Sequence, residues 1–427
     1  MTPIFEEYIK FLRDSTKLPL EELKEGYFWF DKSIIKGFDK YGCEHKFFKV
    51  IINDSNETVD CCKLQRRYDD IKDIELASWY DLLRLWIGHL RGIEKDALYL
   101  IQNKIEEYKN YTPIIPVSTG KDSMVICYLV RSLYPDTKAI FNNTSLDCAD
   151  TYRMIKRLPN CEIMNPKEGF YQYIKRTGMI PTQMTRFCCS IFKSGVMTSQ
   201  LDHKHPYLLF MGMRNEESVK RREYKDEWVN TREWGNTNWK GILPIRTWNE
   251  FEVWLYIFWK GLEINPKYKK GYMRAGCTIA CPFSGKSTWT LDKYWYPIMR
   301  ERWENILREN FISDNKWIIL NCTLNEYINK AWNGGVFRDE PTDEVIEEFA
   351  QYNMLDKTVA SKYFNKNCDC CGTKIKDKNA LSMNMKIHGR SIGKYYCKKC
   401  LMKEFRWFED DWNQQIDKFK NQGCALF

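Results

Sequence analysis

Between residues 112 and 213 short apolar runs alternate with stretches whose apolar positions recur every three or four residues. "PIIPVS" (113–118), "TKAIFNN" (137–143), "CEIMN" (161–165) and "YLLFMGM" (207–213) read as strands. "DSMVICYLVRSLY" (122–134) and "ADTYRMIKRL" (149–158) read as helices between them. The alternation predicts right-handed βαβ units, hence an α/β fold with a doubly wound, mostly parallel sheet. Ligands of such sheets lie beyond the carboxyl ends of the strands. The turn from Ser118 to Ser123 falls there.

On either side the period is helical. "SWYDLLRLWIGHLRGIEKDALYLIQNKIEEYKN" (78–110) and "DKYWYPIMRERWENILREN" (292–310) carry apolar residues at helical spacing. "KFFKVIINDSNETVDCCKL" (46–64) predicts a strand, a polar turn and a return strand. The expected organisation is a mostly helical N-terminal region (1–110), the α/β core (111–290), a helical extension (291–364), and a Cys-rich module with a tail (365–427).

Composition narrows the class. With 44% hydrophobic and 29% charged residues the chain reads as an ordinary globular protein, and 15% aromatic residues argue against disorder. No apolar run reaches the roughly 18 residues of a spanning helix. The opening "MTPIFEEYIKFLRDSTK" has early acids where a signal peptide would be apolar. A cytoplasmic protein without a membrane partner is expected. The formal charge of +9 permits an anionic partner without demanding one. Seventeen cysteines in a reducing compartment point to metal or redox chemistry.

The turn "STGKDS" (118–123) suits a phosphate. Backbone N–H groups of Thr119 to Asp122 and the positive end of the following helix can face one anion. Gly120 permits close approach, the Ser118 and Ser123 hydroxyls can donate, and Lys121 adds charge. The spacing is not that of a Walker A loop.

These six residues resemble the S-G-G-x-D-S loop of the adenine nucleotide alpha-hydrolase superfamily, the PP-loop ATP pyrophosphatases and PAPS reductases, with Thr119 in place of a glycine. Further segments follow in the same order. "FNNTSLDCADT" (141–151) is similar to D-T-G-x-x-x-P-E-T, with Asn143 where the acid stands, and "TRFCCSIFKSGVM" (185–197) to R-x-C-C-x-x-x-K. "FMGMRNEESVKRR" (210–222) resembles G-x-R-x-x-E-S-x-x-R, which places Arg214, Glu217, Ser218 and Arg221. "ILPIRTWNEFEVWLYI" (242–257) and "NPKYKKGYMRAGCTIACPF" (265–283) complete the series. The resemblance implies a nucleotide, ATP or PAPS with Mg beside it, held by Ser118, Thr119, Gly120, Lys121, Asp122, Ser123, Asn143, Thr144, Gly212 and Arg214. It implies catalytic roles for Asp122, Lys121, Arg214 and Arg221, the arginines offering forked, permanent charge to phosphate or sulfate.

Two cysteine sets stand out. Cys188, Cys189, Cys277 and Cys281 could hold an iron–sulfur cluster or zinc; adjacent cysteines reach two irons of a [4Fe–4S] cube more easily than one ion. The set is similar to that of assimilatory APS reductases and DNA-phosphorothioation sulfurtransferases, with one extra residue between Cys277 and Cys281. Cys368, Cys371, Cys397 and Cys400 form two C-x-x-C knuckles, read as a C-terminal zinc ribbon whose intervening "ALSMNMKIHGRSIGKYYC" alternates like a hairpin. Cys370 and His388 are competing ligands, and Lys386, Arg390, Lys394 and Lys398 make the module basic. Cys43, His45, Cys61 and Cys62 are a weaker set, read as unrelated residues.

Three functions are compatible. The first is an ATP-dependent sulfurtransferase that adenylylates and thiolates a nucleic acid, releases pyrophosphate, and takes sulfur from a cysteine desulfurase or thiol donor. The second is an APS or PAPS reductase producing sulfite. Such reductases carry a C-terminal E-C-G-L-H tail, where this chain ends "NQGCALF" with Cys424. The third is a non-catalytic nucleic-acid-binding protein retaining the nucleotide fold.

Overall fold

The computed structural model describes every residue except 17–20, 53–61, 67–70, 231–233, 236, 278, 330, 334–337, 390, 391 and 425. The chain forms two compact units: Met1–Thr177 with Thr185–Arg300, and Gly178–Met184 with Glu301–Phe427.

The first unit opens with an antiparallel five-stranded sheet of β1 (Thr2–Pro3), β2 (Trp29–Asp31), β3 (Ile34–Phe38), β4 (Glu44–Ile52) and β5 (Cys62–Arg66), in that order. The expected strand pair is β4 and β5, with Ile52 opposite Cys62. The other three strands correct the helical reading of the region. Their turn explains why they were hidden: Lys32 and Ser33 both take positive φ, 45° and 73°, in a two-residue hairpin that Asn-Gly usually signals. The long helix Trp79–Glu107 follows, started by a reciprocal Ser78–Asp81 capping box.

The second sheet has the order β10-β11-β9-β6-β7-β8. Its strands are β6 (Thr112–Val117), β7 (Lys138–Asn142), β8 (Cys161–Met164), β9 (Tyr207–Phe210), β10 (Glu227–Trp228) and β11 (Lys240–Ile242). All neighbours are parallel except the edge pair β10 and β11. The chain leaves β6 toward β7 and β8, then returns to β6's other side at β9. The sheet therefore changes winding direction at β6, and a crevice opens beyond β6 and β9. Residues 118–123 and 211–214 occupy those ends.

The helix Glu250–Lys260, buried from Phe251 to Ile257, packs against helices Trp79–Glu107 and Lys121–Leu133. Trp79 stacks on Phe258 with ring centres 4.8 Å apart. This aromatic core makes the floor of the crevice rigid. Among the described residues no helix is long and apolar enough to cross a membrane.

The second unit is helical, and its last part gathers helices Lys378–His388, Lys398–Phe405 and Glu409–Asn421 around a cysteine cluster. The stretch expected as a hairpin is instead the helix Lys378–His388, capped by Asp377. The alternation of Ser382, Met383, Asn384 and Met385 misleads because all four are buried. Ser382 donates to the Leu426 carbonyl at 2.6 Å, and Asn384 exchanges bonds with the Tyr396 backbone at 2.7 and 2.9 Å.

Candidate nucleotide site and thiol centres

The loop after β6 is held by residues far along the chain. Thr119 is fully buried and sits at φ 55°, a left-handed conformation unusual for a β-branched residue. Asn265 donates to its Oγ1 at 2.7 Å and to Thr151 Oγ1 at 2.9 Å. Tyr268, from the same N-P-x-Y segment, accepts the Lys121 N–H at 3.0 Å. The Ser123 hydroxyl closes the turn, accepting from Ser118 N–H at 3.2 Å and donating to the Gly120 carbonyl at 2.9 Å. One of the four amides expected to face a phosphate, Lys121, is thus occupied. Among the described residues those of Thr119, Gly120 and Asp122 have no hydrogen-bond acceptor. A Cβ on Gly120 would come 3.2 Å from Ser118 Oγ, and one on Gly212 would come 2.7 Å from the Asp122 carbonyl carbon. Two backbones meet there, and only glycine fits.

Charges pair beneath the loop. The Lys121 ammonium is 6% exposed and lies 3.2 Å from Asp122 and 3.1 Å from Glu250. Burial disfavours its charge, but Asp122, Tyr268 and Glu250 together hold its pKa above the usual value. Glu250 also pairs with the Met1 ammonium. Arg214 is buried, donating through Nε to Asp122 at 2.6 Å and through Nη1 to the Trp248 carbonyl at 3.4 Å. Arg221 pairs with Glu217, which also accepts the Arg214 N–H at 3.0 Å. Burial lowers the Arg221 pKa, and nearby Arg274 and Arg214 push the same way. Three guanidinium groups therefore share one field at the crevice, a setting that favours an anion.

The segment after β7 is bonded within itself. Asn143 Oδ1 accepts from Ser145 N–H and Tyr152 OH, each at 2.8 Å, and its Nδ2 donates to Asn165 Oδ1 at 2.8 Å. Thr144 donates to Asp147 at 2.7 Å. Both residues shape the turn at the crevice edge through these bonds.

Cys188 and Cys189 lie on the short helix Phe187–Cys189, which runs through a π-turn, Ser190–Ser194, into the helix Gly195–Gln200. Such turns recur at functional sites. The wide turn needs Gly195, whose Cβ would lie 2.2 Å from the Ser190 carbonyl oxygen. The turn presents Lys193. Cys277, then Cys189 and Cys281, attract its ammonium and raise its pKa against burial. Cys189 is held down to about 6 by its bond with Cys188, against burial and with help from Lys193 and Arg186. The bond with Cys277 holds Cys281 down to about 6, with Lys193 and the Phe283 amide assisting against burial. Their partners, buried Cys188 and half-buried Cys277, move up. The segment Asn265–Cys277 joins this set to the loop: Asn265 reaches Thr119, and Lys267 donates to the Gly276 carbonyl at 3.0 Å.

The C-terminal set has a different geometry. Ligand atoms of Cys368, Cys371, Cys397 and Cys400 all lie within 4.8 Å of one another, and the Sγ atoms of Cys371 and Cys397 are 3.8 Å apart. Tetrahedral zinc with bonds of about 2.3 Å separates its sulfurs by about 3.8 Å. Gly372, at φ 71°, turns the first knuckle, and Cys397 caps the helix that carries Cys400. The Thr373 hydroxyl and amide hold the Cys371 thiol down to about 6. Cys370 and His388 stand outside the quartet. Cys188 feels the charges of Cys189, Cys277 and Cys281, so the four core thiols form one sulfur donor set, which suits an iron–sulfur cluster or zinc.

Asn265, Tyr268, Glu250, Lys193 and Arg274 were not anticipated as site residues, although each lies in a segment that carried the resemblance. Cys61 and the side chain of Cys62 lie outside the described residues, as does Arg390. Cys43 is exposed and His45 pairs with Asp39 at 3.4 Å.

Residues 112–282 match the family model of the phosphoadenosine phosphosulfate reductase domain. An uncharacterized protein of Methanocaldococcus jannaschii is 29% identical over 250 residues, 57% of this chain and 50% of its own. The chain thus spans about half the length of that curated relative. The adenosine 5'-phosphosulfate reductase of Bacillus cereus strain 03BB102 is 27% identical over 192 residues, 43% of this chain and 78% of its own. The crystal structure of phosphoadenylyl-sulfate reductase from Candida auris is similar at 16% identity and a TM-score of 0.35, covering 44% of this chain and 94% of that one. At that score the likeness carries no argument.

Proposed function

We propose, starting from the phosphoadenosine phosphosulfate reductase domain at residues 112–282, that this protein is an ATP-dependent sulfurtransferase that thiolates a nucleic acid. The observation that supports it best is the coupling of the loop and the core thiols through one segment, Asn265–Cys277. An oxygen of the acceptor attacks the α-phosphorus of ATP, the bond to the β-phosphate breaks, and pyrophosphate leaves with the electron pair. The amides of Thr119, Gly120 and Asp122 bind the anion, and Arg214, Arg221 and Arg274 offset the developing charge. The outer sulfur of a persulfide donor, such as a cysteine desulfurase supplies, then forms the carbon–sulfur bond as AMP departs with the carbon–oxygen pair. A second thiol, the reductant, attacks the donor sulfur, so that the S–S bond breaks, the sulfur stays on the acceptor as a thiolate, and the two thiols leave as a disulfide. A [4Fe–4S] cluster on Cys188, Cys189, Cys277 and Cys281 would take one thiolate at each iron and supply redox-active iron. Lys193 holds negative charge at that quartet, and zinc on the C-terminal cysteines would fix the fold of their module.

A second reading, reduction of APS or PAPS to sulfite, is favoured by the 27% identity to the Bacillus cereus reductase. Anaerobically purified protein separates the two. Pyrophosphate and AMP formed from ATP only when a nucleic acid is present support thiolation. Sulfite formed from APS or PAPS with a thiol, and no ATP turnover, replaces that reading with reduction. A protein that does neither, yet binds nucleic acid, is the non-catalytic alternative.

A further inference from the structure

The four-cysteine module of the second unit carries more aromatic and basic surface than its fold uses. Its interior holds Leu381, Met383, Met385 and Leu401 with the rings of Tyr395 and Trp412, and Trp407 reaches the Trp412 ring at 6.3 Å. Outside, Phe405 and Trp407 stack with ring centres 4.9 Å apart at 25°. His388 lies 6.4 Å from Phe405 and 6.1 Å from Tyr396. Tyr396, Phe405 and Trp407 are each half-buried, with part of each side chain reaching solvent.

Arg406 stands between the two stacked residues at φ 56° and ends the helix Lys398–Phe405. The Trp407 N–H donates back to the Met402 carbonyl at 2.8 Å, a closure that usually employs glycine. An arginine in the left-handed region is strained and puts a guanidinium-bearing residue next to two rings.

Charge runs the same way. Glu409, Asp410 and Asp411 follow Trp407 in the first turn of the next helix, but residues 365–427 as a whole contain thirteen Lys or Arg and seven Asp or Glu. Lys398 pairs with Glu409. Among the described residues, Lys394, Lys399, Lys403 and Arg406 are exposed and have no acid within ion-pair distance. A divalent ion with four thiolates would add only two negative charges, so the surface stays cationic. Rings on which bases stack without sequence preference, bordered by unpaired cations, are what a single strand requires.

We propose that this module docks single-stranded nucleic acid, bases on Tyr396, Phe405 and Trp407 and phosphates on Lys399, Lys403 and Arg406. The inference rests on the nucleic-acid acceptor of the preceding reading and names the surface that holds it.

The test uses the full, zinc-loaded chain without ATP and fluorescence anisotropy of labelled oligo-dT and oligo-rU of roughly twelve nucleotides. Saturable binding is expected, with log K falling against log salt at a slope of about −2 for three phosphate contacts. The RNA and DNA arms show which sugar is preferred. Trp407→Ala should weaken binding roughly tenfold, the effect of losing one stacked base. The exposed pair Lys399→Glu with Lys403→Glu should flatten the salt slope while zinc content stays unchanged. This pair decides the matter should Trp407→Ala lose its zinc. No saturable binding of either strand, a duplex bound as tightly as the single strands, or an unchanged salt slope in the lysine pair overturns the proposal. Pyrophosphate release is read separately. Strand binding without it leaves this surface and removes the ATP reading, and release with binding indifferent to the lysine pair does the reverse.

Discussion

Asn265 donates its side-chain amide to Thr119 Oγ1 across 2.7 Å, so a residue 146 positions away sets the conformation of the phosphate loop. Both side chains are fully buried. The same amide reaches Thr151 at 2.9 Å, and Tyr268 takes the Lys121 N–H. The loop is held by these buried side chains, and among the described residues the Thr119, Gly120 and Asp122 amides have no acceptor. Thr119 accepts left-handed backbone strain of about 1–2 kcal/mol in exchange for that anchor.

Two substitutions at Thr119 separate strain from anchorage. Thr119→Gly removes both, so the two effects offset and stability should change by less than about 1 kcal/mol. Thr119→Val keeps the strain and removes the acceptor, leaving a buried amide donor short of a partner. A loss of about 2 kcal/mol is expected. Urea denaturation of the two variants checks this. Equal stabilities would remove the anchoring role of Asn265.

Gly212 should tolerate no side chain. An alanine Cβ would meet the Asp122 backbone at 2.7–2.8 Å, and neither backbone can withdraw without moving the loop. Gly212→Ala is expected to weaken nucleotide binding at least tenfold with the sheet still folded, measured by calorimetric titration beside circular dichroism. Wild-type affinity in the alanine variant would show that the loop does not grip the nucleotide.

The sequence carried the parallel sheet well because β6, β7 and β9 are buried on both faces and read as apolar runs. Their carboxyl ends then located Ser118–Ser123 and Arg214 without further help. The N-terminal sheet was illegible because Lys32 and Ser33 make a turn their residue types do not announce. The helix Lys378–His388 was misread because Ser382 and Asn384 are polar residues satisfied inside the module. Asn265 and Tyr268 escaped notice as site residues because their contribution is a tertiary contact, which no local spacing reveals. Lys193 could have been found: it closes the R-x-C-C-x-x-x-K segment on the same helical run as both cysteines.

The two thiol sets should separate chemically. Cys188→Ser, in protein purified without oxygen, is expected to lose iron and sulfide while keeping about one zinc per chain. Cys397→Ser is expected to do the opposite. Chelator treatment should melt the C-terminal helices and leave the parallel sheet intact, because a module this small depends on its ion. Metal analysis with hydrogen exchange reads both outcomes. Zinc in the core quartet, or iron lost from both variants together, would overturn the assignment of different metals to the two sets.

Glu250 ties stability to acid. Burial alone would raise its pKa, but the Lys121 ammonium and the chain's amino terminus pull it down to about 2 from the usual 4.5. The unfolded chain therefore binds the proton more readily than the folded one. Stability from this pairing is fully present above about pH 4.5 and disappears as pH falls through about 2. The difference amounts to roughly 3 kcal/mol at neutral pH. Glu250→Gln should lose about that much at pH 7 and show a shallower decline between pH 4.5 and 2 than the wild type. Other carboxylates titrate in the same window, so the comparison of the two proteins, rather than either curve, isolates Glu250. Parallel curves from denaturation at each pH would mean that Lys121 does not face Glu250 in solution and that its ammonium is available to the crevice instead.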